Sequence, residues 1–129
     1  MSQIAQEIAE VEISIDHAKG LVKKAEQIRR LSQNKDFQEV VEKGFFEQES
    51  IRLTHLYSDP RLDAETKEKV RIDLLSIGAL KRYLSVTIMM GDQAKDEIVG
   101  HEGSLDYLRS DEALQEYGEG EYASEQGAE

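Results

Sequence analysis

The chain has 129 residues, which is the size of a single domain. Apolar residues make up 39% of it and charged residues 33%, which excludes a thick globular interior and favours long amphipathic helices with narrow apolar stripes. The chain has no cysteine, so a disulfide framework, a thiolate metal site and a cysteine nucleophile are all excluded. We therefore predict an all-α protein.

The net charge of −11 is concentrated near the C-terminus. Residues 1–101 contain 18 acids and 15 bases (net −3), whereas residues 102–129 contain nine acids and one base, Arg109 (net −8). Such an acidic segment repels DNA, RNA and anionic membranes. The favoured partner is a basic protein surface, and we expect no direct contact with nucleic acid or membrane.

The chain also lacks the usual signals for export or membrane insertion. The longest uncharged stretch of the apolar region, residues 83–91, is nine residues long and too short to span a bilayer. The N-terminus begins with a polar, acidic helical pattern, which predicts no signal peptide. We expect a soluble, cytoplasmic protein.

The first predicted element is a helix over residues 1–33 with a coiled-coil repeat. Its apolar residues alternate in steps of four and three over about three heptads. These residues, termed the heptad seam, are Ile4, Ile8, Val11, Ile15, Ala18, Val22 and Ala25. We predict that the seam mediates homo-oligomerisation, although packing of this helix within its own chain would satisfy the same pattern. Acids occupy the first half of the helix and bases the second. This order complements the helix dipole, and it would equally favour antiparallel pairing, in which the acidic end of one helix meets the basic end of another.

An antiparallel helical hairpin is predicted over residues 34–103. Asn34 or Asp36 can cap its first helix, which runs to about Tyr57. The apolar stripe of this helix includes Phe37, Val40, Val41, Phe45, Leu53, Leu56 and Tyr57. Phe46 lies off that stripe, so the helix is expected to have neighbours on two sides.

The second helix of the hairpin is predicted to be the longer one. Pro60 prevents the preceding helix from continuing, and Asp63 can cap a helix from about Ala64 to Val99. Its inner face is expected to contain Val70, Leu74, Ile77, Leu80, Leu84, Ile88 and Ile98. At ~1.5 Å per residue it spans about 54 Å against roughly 33 Å for its neighbour. The overhang of about 20 Å has to pack on the first helix or on another chain, which also predicts an oligomer.

Two further segments are predicted beyond the hairpin. Gly100 and Gly103 are expected to end the long helix, after which Ser104 can cap a short helix over residues 104–117. Residues 118–129 show no periodicity and are predicted to form an acidic flexible tail that binds a basic partner. The partner-binding residues of this region are predicted to be Glu116, Glu119, Glu121, Glu125 and Glu129.

A search for chemical motifs finds no phosphate-binding glycine loop, nucleophile elbow, His-Glu-x-x-His motif or calcium loop. The three histidines, His17, His55 and His101, are scattered. Glu97 lies four residues before His101, but a third metal ligand is not evident. We predict no catalytic residue, no metal site and no cofactor, and a protein that is not an enzyme.

Several short motifs lie between Leu31 and Ile98. They are Asn34-Lys35-Asp36-Phe37, Gly44-Phe45-Phe46-Glu47-Gln48-Glu49, Arg52-Leu53, Ser58-Asp59-Pro60 and Ile77-Gly78-Ala79-Leu80-Lys81-Arg82-Tyr83. Over this half of its length the chain resembles small helical proteins of unknown role that are encoded among the structural genes of tailed bacteriophages. The resemblance implies a viral protein located in the host cytoplasm, with the virion as a second location.

Two functions are compatible with these features. The first is a structural or assembly protein of a tailed-phage particle, which oligomerises and binds capsid, portal or tail components. The alternative is an acidic regulator or inhibitor that occupies a basic nucleic-acid-binding surface of a host polymerase or nuclease. Binding of the second kind would be fast and sensitive to salt.

Overall fold

The computed structural model describes residues 2–127, with side chains described up to Gln115. Within these residues the regular structure is entirely helical, which confirms the predicted all-α class. The elements are α1 (Gln3–Ser32), α2 (Lys35–Phe37), a π-helical segment (Gln38–Glu49), α3 (Ser50–Tyr57) and α4 (Ala64–Gly127). None of the helices in the described part of the chain is both long enough and apolar enough to cross a membrane.

The chain divides into two compact units. Unit 1 contains Met1–Val22, the first part of α1, together with Asp92–Glu129, the last part of α4. Unit 2 is the continuous segment Lys23–Gly91, which contains the end of α1, the helices on either side of the π-helical segment and the beginning of α4.

The core of unit 2 is a small apolar cluster made by Leu53 of α3 with Val70 and Ile77 of α4, each 4% exposed. The half-buried residues packed around it are Phe45, Phe46, Leu56, Leu62 and Leu74. The side chains on α3 and at the beginning of α4 therefore interlock next to the turn that joins the two helices. This contact fixes which face of α4 points inward in unit 2.

The π-helical segment places two consecutive aromatic residues on the core. In a π-helix each N–H bonds to the carbonyl five residues earlier, and such turns usually occur singly, so a run of twelve residues is long. A π turn holds more residues than an α turn, so each residue rotates the chain by a smaller angle. Phe45 and Phe46 consequently both reach the core cluster, with their ring centroids 6.0 Å apart. Phe46, which was expected to lie off the apolar stripe, therefore packs against the core cluster while staying half-buried.

Both predicted helix caps are present in unit 2. The Asn34 side-chain oxygen accepts a hydrogen bond from the Phe37 backbone N–H at 3.0 Å. Asp63 Oδ1 accepts one from the Thr66 backbone N–H at 2.8 Å. Each cap satisfies an N–H that has no partner within its own helix. Hydrogen bonds from the side chain and backbone of Thr66 lower the pKa of Asp63.

A second aspartate closes the turn between α3 and α4. The Asp59 carboxylate accepts hydrogen bonds from the Arg61 backbone N–H at 2.9 Å and from the Arg61 guanidinium at 3.1 and 3.0 Å. These bonds, led by those from the guanidinium, lower the pKa of Asp59. The turn lies where Pro60 predicted it, and α3 ends at Tyr57 as expected.

The predicted end of the long helix at Gly100–Gly103 is wrong, because α4 continues without interruption. No described glycine has the positive φ that a glycine-terminated helix commonly requires. Ser104, expected to cap a new helix, instead donates its hydroxyl to the Gly100 carbonyl at 3.1 Å within α4. A glycine costs a helix about 1 kcal/mol, which packing of the neighbouring turns can offset. Ala94 and Leu105, which lie on either side, are both buried.

The structure also differs from the sequence prediction beyond this point. The short helix expected over residues 104–117 is part of α4, which extends to Gly127 across most of the predicted flexible tail. The side chains of residues 116–129 lie outside the described residues. They include the predicted partner-binding residues Glu116, Glu119, Glu121, Glu125 and Glu129, so their role stays a prediction.

Replacing Gly100 by alanine should raise the free energy of unfolding by about 0.5–1 kcal/mol, because alanine is favoured inside a helix. A Cβ built at Gly100 meets no atom within 4 Å. Urea unfolding followed by circular dichroism would measure the change. Gly44→Ala is the control, because its Cβ would lie 3.1 Å from the Glu39 carbonyl oxygen. This close contact should offset the stability gained from the higher helix propensity of alanine. A loss of stability in Gly100→Ala would instead indicate that this glycine ends the helix.

Replacing Asp63 by asparagine should leave a capping oxygen in place but remove a carboxylate whose pKa is lowered by folding. The stabilisation from such a carboxylate is present above its unfolded pKa and is lost as pH falls through its folded pKa. The wild-type chain should therefore be more stable than Asp63→Asn near neutral pH, and the difference should shrink below about pH 4. Urea midpoints of both proteins across this range would measure it. A difference that is independent of pH would contradict the role given to the charge.

Candidate interaction surfaces

The heptad seam of α1 is covered within the chain. Ile15 and Ala18 are buried in unit 1, Ala25 is buried in unit 2, and the half-buried members are Ile4, Ile8, Val11 and Val22. Unit 1 contains only the first part of α1 and the last part of α4, so α4 is the helix that covers the seam there. Packing within the chain, one of the two possibilities left open by the sequence, accounts for this burial. Oligomerisation through the seam stays a prediction.

In unit 1 the two helices run antiparallel. Arg109 Nη2 of α4 donates a hydrogen bond to Glu12 Oε1 of α1 at 3.1 Å. Ile15, one turn later on α1, lines the same groove as Leu105, one turn earlier on α4. The side chains of Arg109 and Glu12 are 57% and 51% exposed, so the ion pair orients the helices more than it stabilises them.

That groove is lined mainly by charged side chains. Its four acids and two bases are Glu12, Asp16, Glu102, Asp106, Lys19 and Arg109. Among the residues that the structure describes, no group of three or more histidine, aspartate or glutamate side chains is placed to hold a metal ion. The groove is best explained as a solvated polar surface with more acids than bases.

A second cleft, of about 470 Å³, lies in unit 2 beside the π-helical segment. Its apolar lining residues are Ile28, Phe46, Leu84 and Ile88, and its polar lining residues are Ser32, Ser85 and the exposed charges Glu42, Glu47 and Lys81. Phe46 therefore contacts the core cluster and also lines the cleft. A volume and lining of this kind suit an apolar ligand group or an apolar side chain of a partner.

A third surface is a second apolar stripe on α4 in unit 2. Its residues, termed the outer stripe, are Ile72, Leu75, Ala79, Tyr83, Val86 and Met90. They follow one another in steps of three, four, four, three and four, an 11-residue period close to that of a straight α-helix. At about 100° per residue all six fall within roughly 80° of the helix circumference, on the side opposite Val70 and Ile77.

The outer stripe is exposed in this chain. The exposed fractions are 50% for Ile72, 59% for Leu75, 51% for Tyr83 and 42% for Met90, and Val86 is half-buried. Two neighbours widen the apolar surface, Leu80 on one flank at 41% and Met89 on the other at 51%. Leu80 was expected to face inward, and its exposure corrects that prediction.

Basic side chains border the outer stripe. Arg71 and Arg82 lie on the same flank as Met89 and are exposed. Arg71 Nη2 donates a hydrogen bond to Glu68 Oε1 at 2.6 Å, and this bond lowers the pKa of Glu68. The apolar strip is thus edged by charges, as is typical of surfaces that contact other proteins.

Replacing Ser85 by leucine should raise the free energy of unfolding by about 0.5–1 kcal/mol, because the new side chain can cover apolar lining of the cleft. Ser110→Leu is the matched control, since Ser110 is an exposed residue of α4 that does not line this cleft. Urea unfolding of both variants would measure the difference. Equal effects would mean that leucine acts only through its helix propensity.

No protein-family model, curated protein or solved structure matches this chain.

Proposed function

We propose that this chain is a non-enzymatic helical assembly protein that binds other proteins, in or during construction of a tailed-phage particle. The observation that carries the proposal is the outer stripe. Its apolar positions recur through residues 72–90 of α4, and four of its large side chains are between 42% and 59% exposed. Continuous apolar surface on a soluble protein marks a site of contact with another molecule, whereas isolated exposed residues such as Ile13 do not.

The phage context rests on the resemblance over residues 31–98. Its longest motif, Ile77 to Tyr83, supplies one residue to the core of unit 2 and two to the outer stripe. The motif therefore combines a folding role with a surface role. In the proposed assembly protein, the predicted antiparallel hairpin presents the stripe on a helix that is held by α3, and the partners are capsid, portal or tail components.

The charge distribution supports a second candidate function. Residues 102–129 carry a net charge of −8, which favours an acidic regulator or inhibitor of a host polymerase or nuclease. Attraction between such a segment and a basic surface weakens as salt is raised. Binding through the apolar outer stripe would instead become stronger or stay nearly unchanged as salt is raised. The salt dependence of binding therefore distinguishes the two candidate functions.

Affinity capture of the tagged chain from phage-infected cells, at low and moderate salt, would test the proposal. The wild-type chain should capture capsid, portal or tail proteins at both salt concentrations. Leu75→Glu should reduce that capture by about tenfold or more, because binding would bury an unpaired charge. Ile13→Glu places the same charge on an isolated exposed residue, 69% accessible, and should have no effect.

A different set of captured proteins would contradict the assembly function. Recovery of a host polymerase or nuclease that is released by salt and unaffected by Leu75→Glu would support the acidic regulator. Circular dichroism of each variant would establish that its helices are intact before the captures are compared.

A further inference from the structure

We propose that the outer stripe binds a second copy of this chain in an antiparallel arrangement, with Ala79 of each copy against Tyr83 of the other. This inference rests on the proposed function and identifies one partner of the surface that carries it. Three properties of the stripe lead to a second copy: its symmetry in residue size, its flanks and its area.

The outer stripe is complementary to itself when it is reversed. With a two-fold axis at the level of Lys81, Ile72 faces Met90 and the small Ala79 faces the large Tyr83 ring, each pair equally far from the axis. Leu75 and Val86 face each other with an offset of one residue, about 1.5 Å along the helix. Each close layer contains one larger and one smaller side chain or two of similar size, which allows dense packing.

A parallel pair lacks this complementarity. Every residue would then face its own equivalent, so two Ala79 side chains would share one layer and two Tyr83 rings the next. The alanine layer would leave a gap and the tyrosine layer would be overfilled, and both defects are destabilising. The sizes of the side chains therefore select the antiparallel arrangement.

The flanks of the stripe fit the same arrangement. An antiparallel two-fold pair brings each flank against the same flank of the other copy. On one flank the two Leu80 side chains come close to the axis. On the other, Arg71 lies two residues from the level directly opposite Met89, within reach of the aliphatic part of its long side chain.

Electrostatics oppose this pairing to a limited degree. Arg82 of one copy approaches Arg82 of the other near the axis, and each whole chain carries a net charge of −11. Both repulsions are screened by salt. The dimer should therefore strengthen as salt is raised, unlike a complex held by the acidic C-terminal residues.

The available area indicates a weak dimer. The six large apolar side chains involved are between 41% and 59% exposed, namely Ile72, Leu75, Leu80, Tyr83, Met89 and Met90. At roughly 150 Å² for each fully exposed side chain, the lower end of the range for aromatic residues, they offer about 450 Å² per copy. The pair would bury on the order of 900 Å², which is below the usual size of specific interfaces and typical of weak, transient contacts. We expect dissociation constants in the micromolar range or weaker.

Cross-linking between introduced cysteines tests the arrangement, because the natural chain contains none. Ile72→Cys and Met90→Cys would be treated with a short bis-maleimide, each alone and as an equal mixture. The antiparallel dimer should give a cross-linked species in the mixture, with each variant alone giving no more than Ile13→Cys. Strong cross-linking of each variant alone would indicate a parallel pair, and no excess in the mixture would indicate no such contact. Either result would overturn the proposal.

Sedimentation equilibrium of the full chain, from tens to hundreds of micromolar and at two salt concentrations, gives the second measurement. The wild-type and Ile13→Glu chains should dimerise more at the higher salt. Leu75→Glu should weaken dimerisation by about tenfold or more. A wild-type monomer under all conditions, or equal dimerisation of Leu75→Glu, would refute the second-copy proposal. If such a monomer still captured phage structural proteins through Leu75, the assembly function would stand without the dimer.

Discussion

Both units of this chain depend on a single uninterrupted helix, α4. In unit 1 its last part covers the heptad seam of α1, so that Ile15 and Ala18 are buried. In unit 2 its first part supplies Val70 and Ile77 to the core cluster with Leu53. With 39% apolar residues, the chain has few apolar side chains available for a core. In unit 2 the apolar side chains of α4 that pack against other helices lie on one side of α4. The apolar residues on the other side are left exposed, and the candidate binding surface is a direct result of that allocation.

The parts of the fold that the sequence predicted correctly are those set by local chemistry. Asn34 and Asp63 each accept the hydrogen bond expected of an N-cap, and Pro60 lies in the turn that it was expected to enforce. These outcomes depend on a few neighbouring residues, so no knowledge of the rest of the fold is needed. The heptad seam was also recognised, because its period is independent of whether the covering helix belongs to the same chain or to another. For that reason the sequence could not decide between the two.

The errors arose where packing outweighs local preference. Gly100 and Gly103 have low helix propensity, yet both lie inside α4, because a cost of about 1 kcal/mol per glycine is small beside the packing of the flanking turns. The π-helical segment depends on a change in hydrogen-bond register, which apolar spacing does not encode. The consecutive residues Phe45 and Phe46 were the available signal, since an α-helix seldom buries two neighbours against one cluster. The outer stripe was hidden because apolar residues of α4 occupy two opposite faces, and one face alone explained the helix. Its own steps of three, four, four, three and four could have revealed it.

The two proposed contacts of this protein are linked by electrostatics even though they use different residues. Each chain carries a net charge of −11, of which −8 lies in residues 102–129. Two copies joined through their outer stripes would carry twice the charge of one, and their mutual repulsion would weaken the pair. A basic partner that neutralises residues 102–129 would remove much of this repulsion and so strengthen the dimer. Because such coupling is reciprocal, the dimer would in turn bind the basic partner more tightly than a single chain does. Free copies would then pair only weakly in solution and more tightly where a basic surface is present, which is the behaviour that ordered assembly requires.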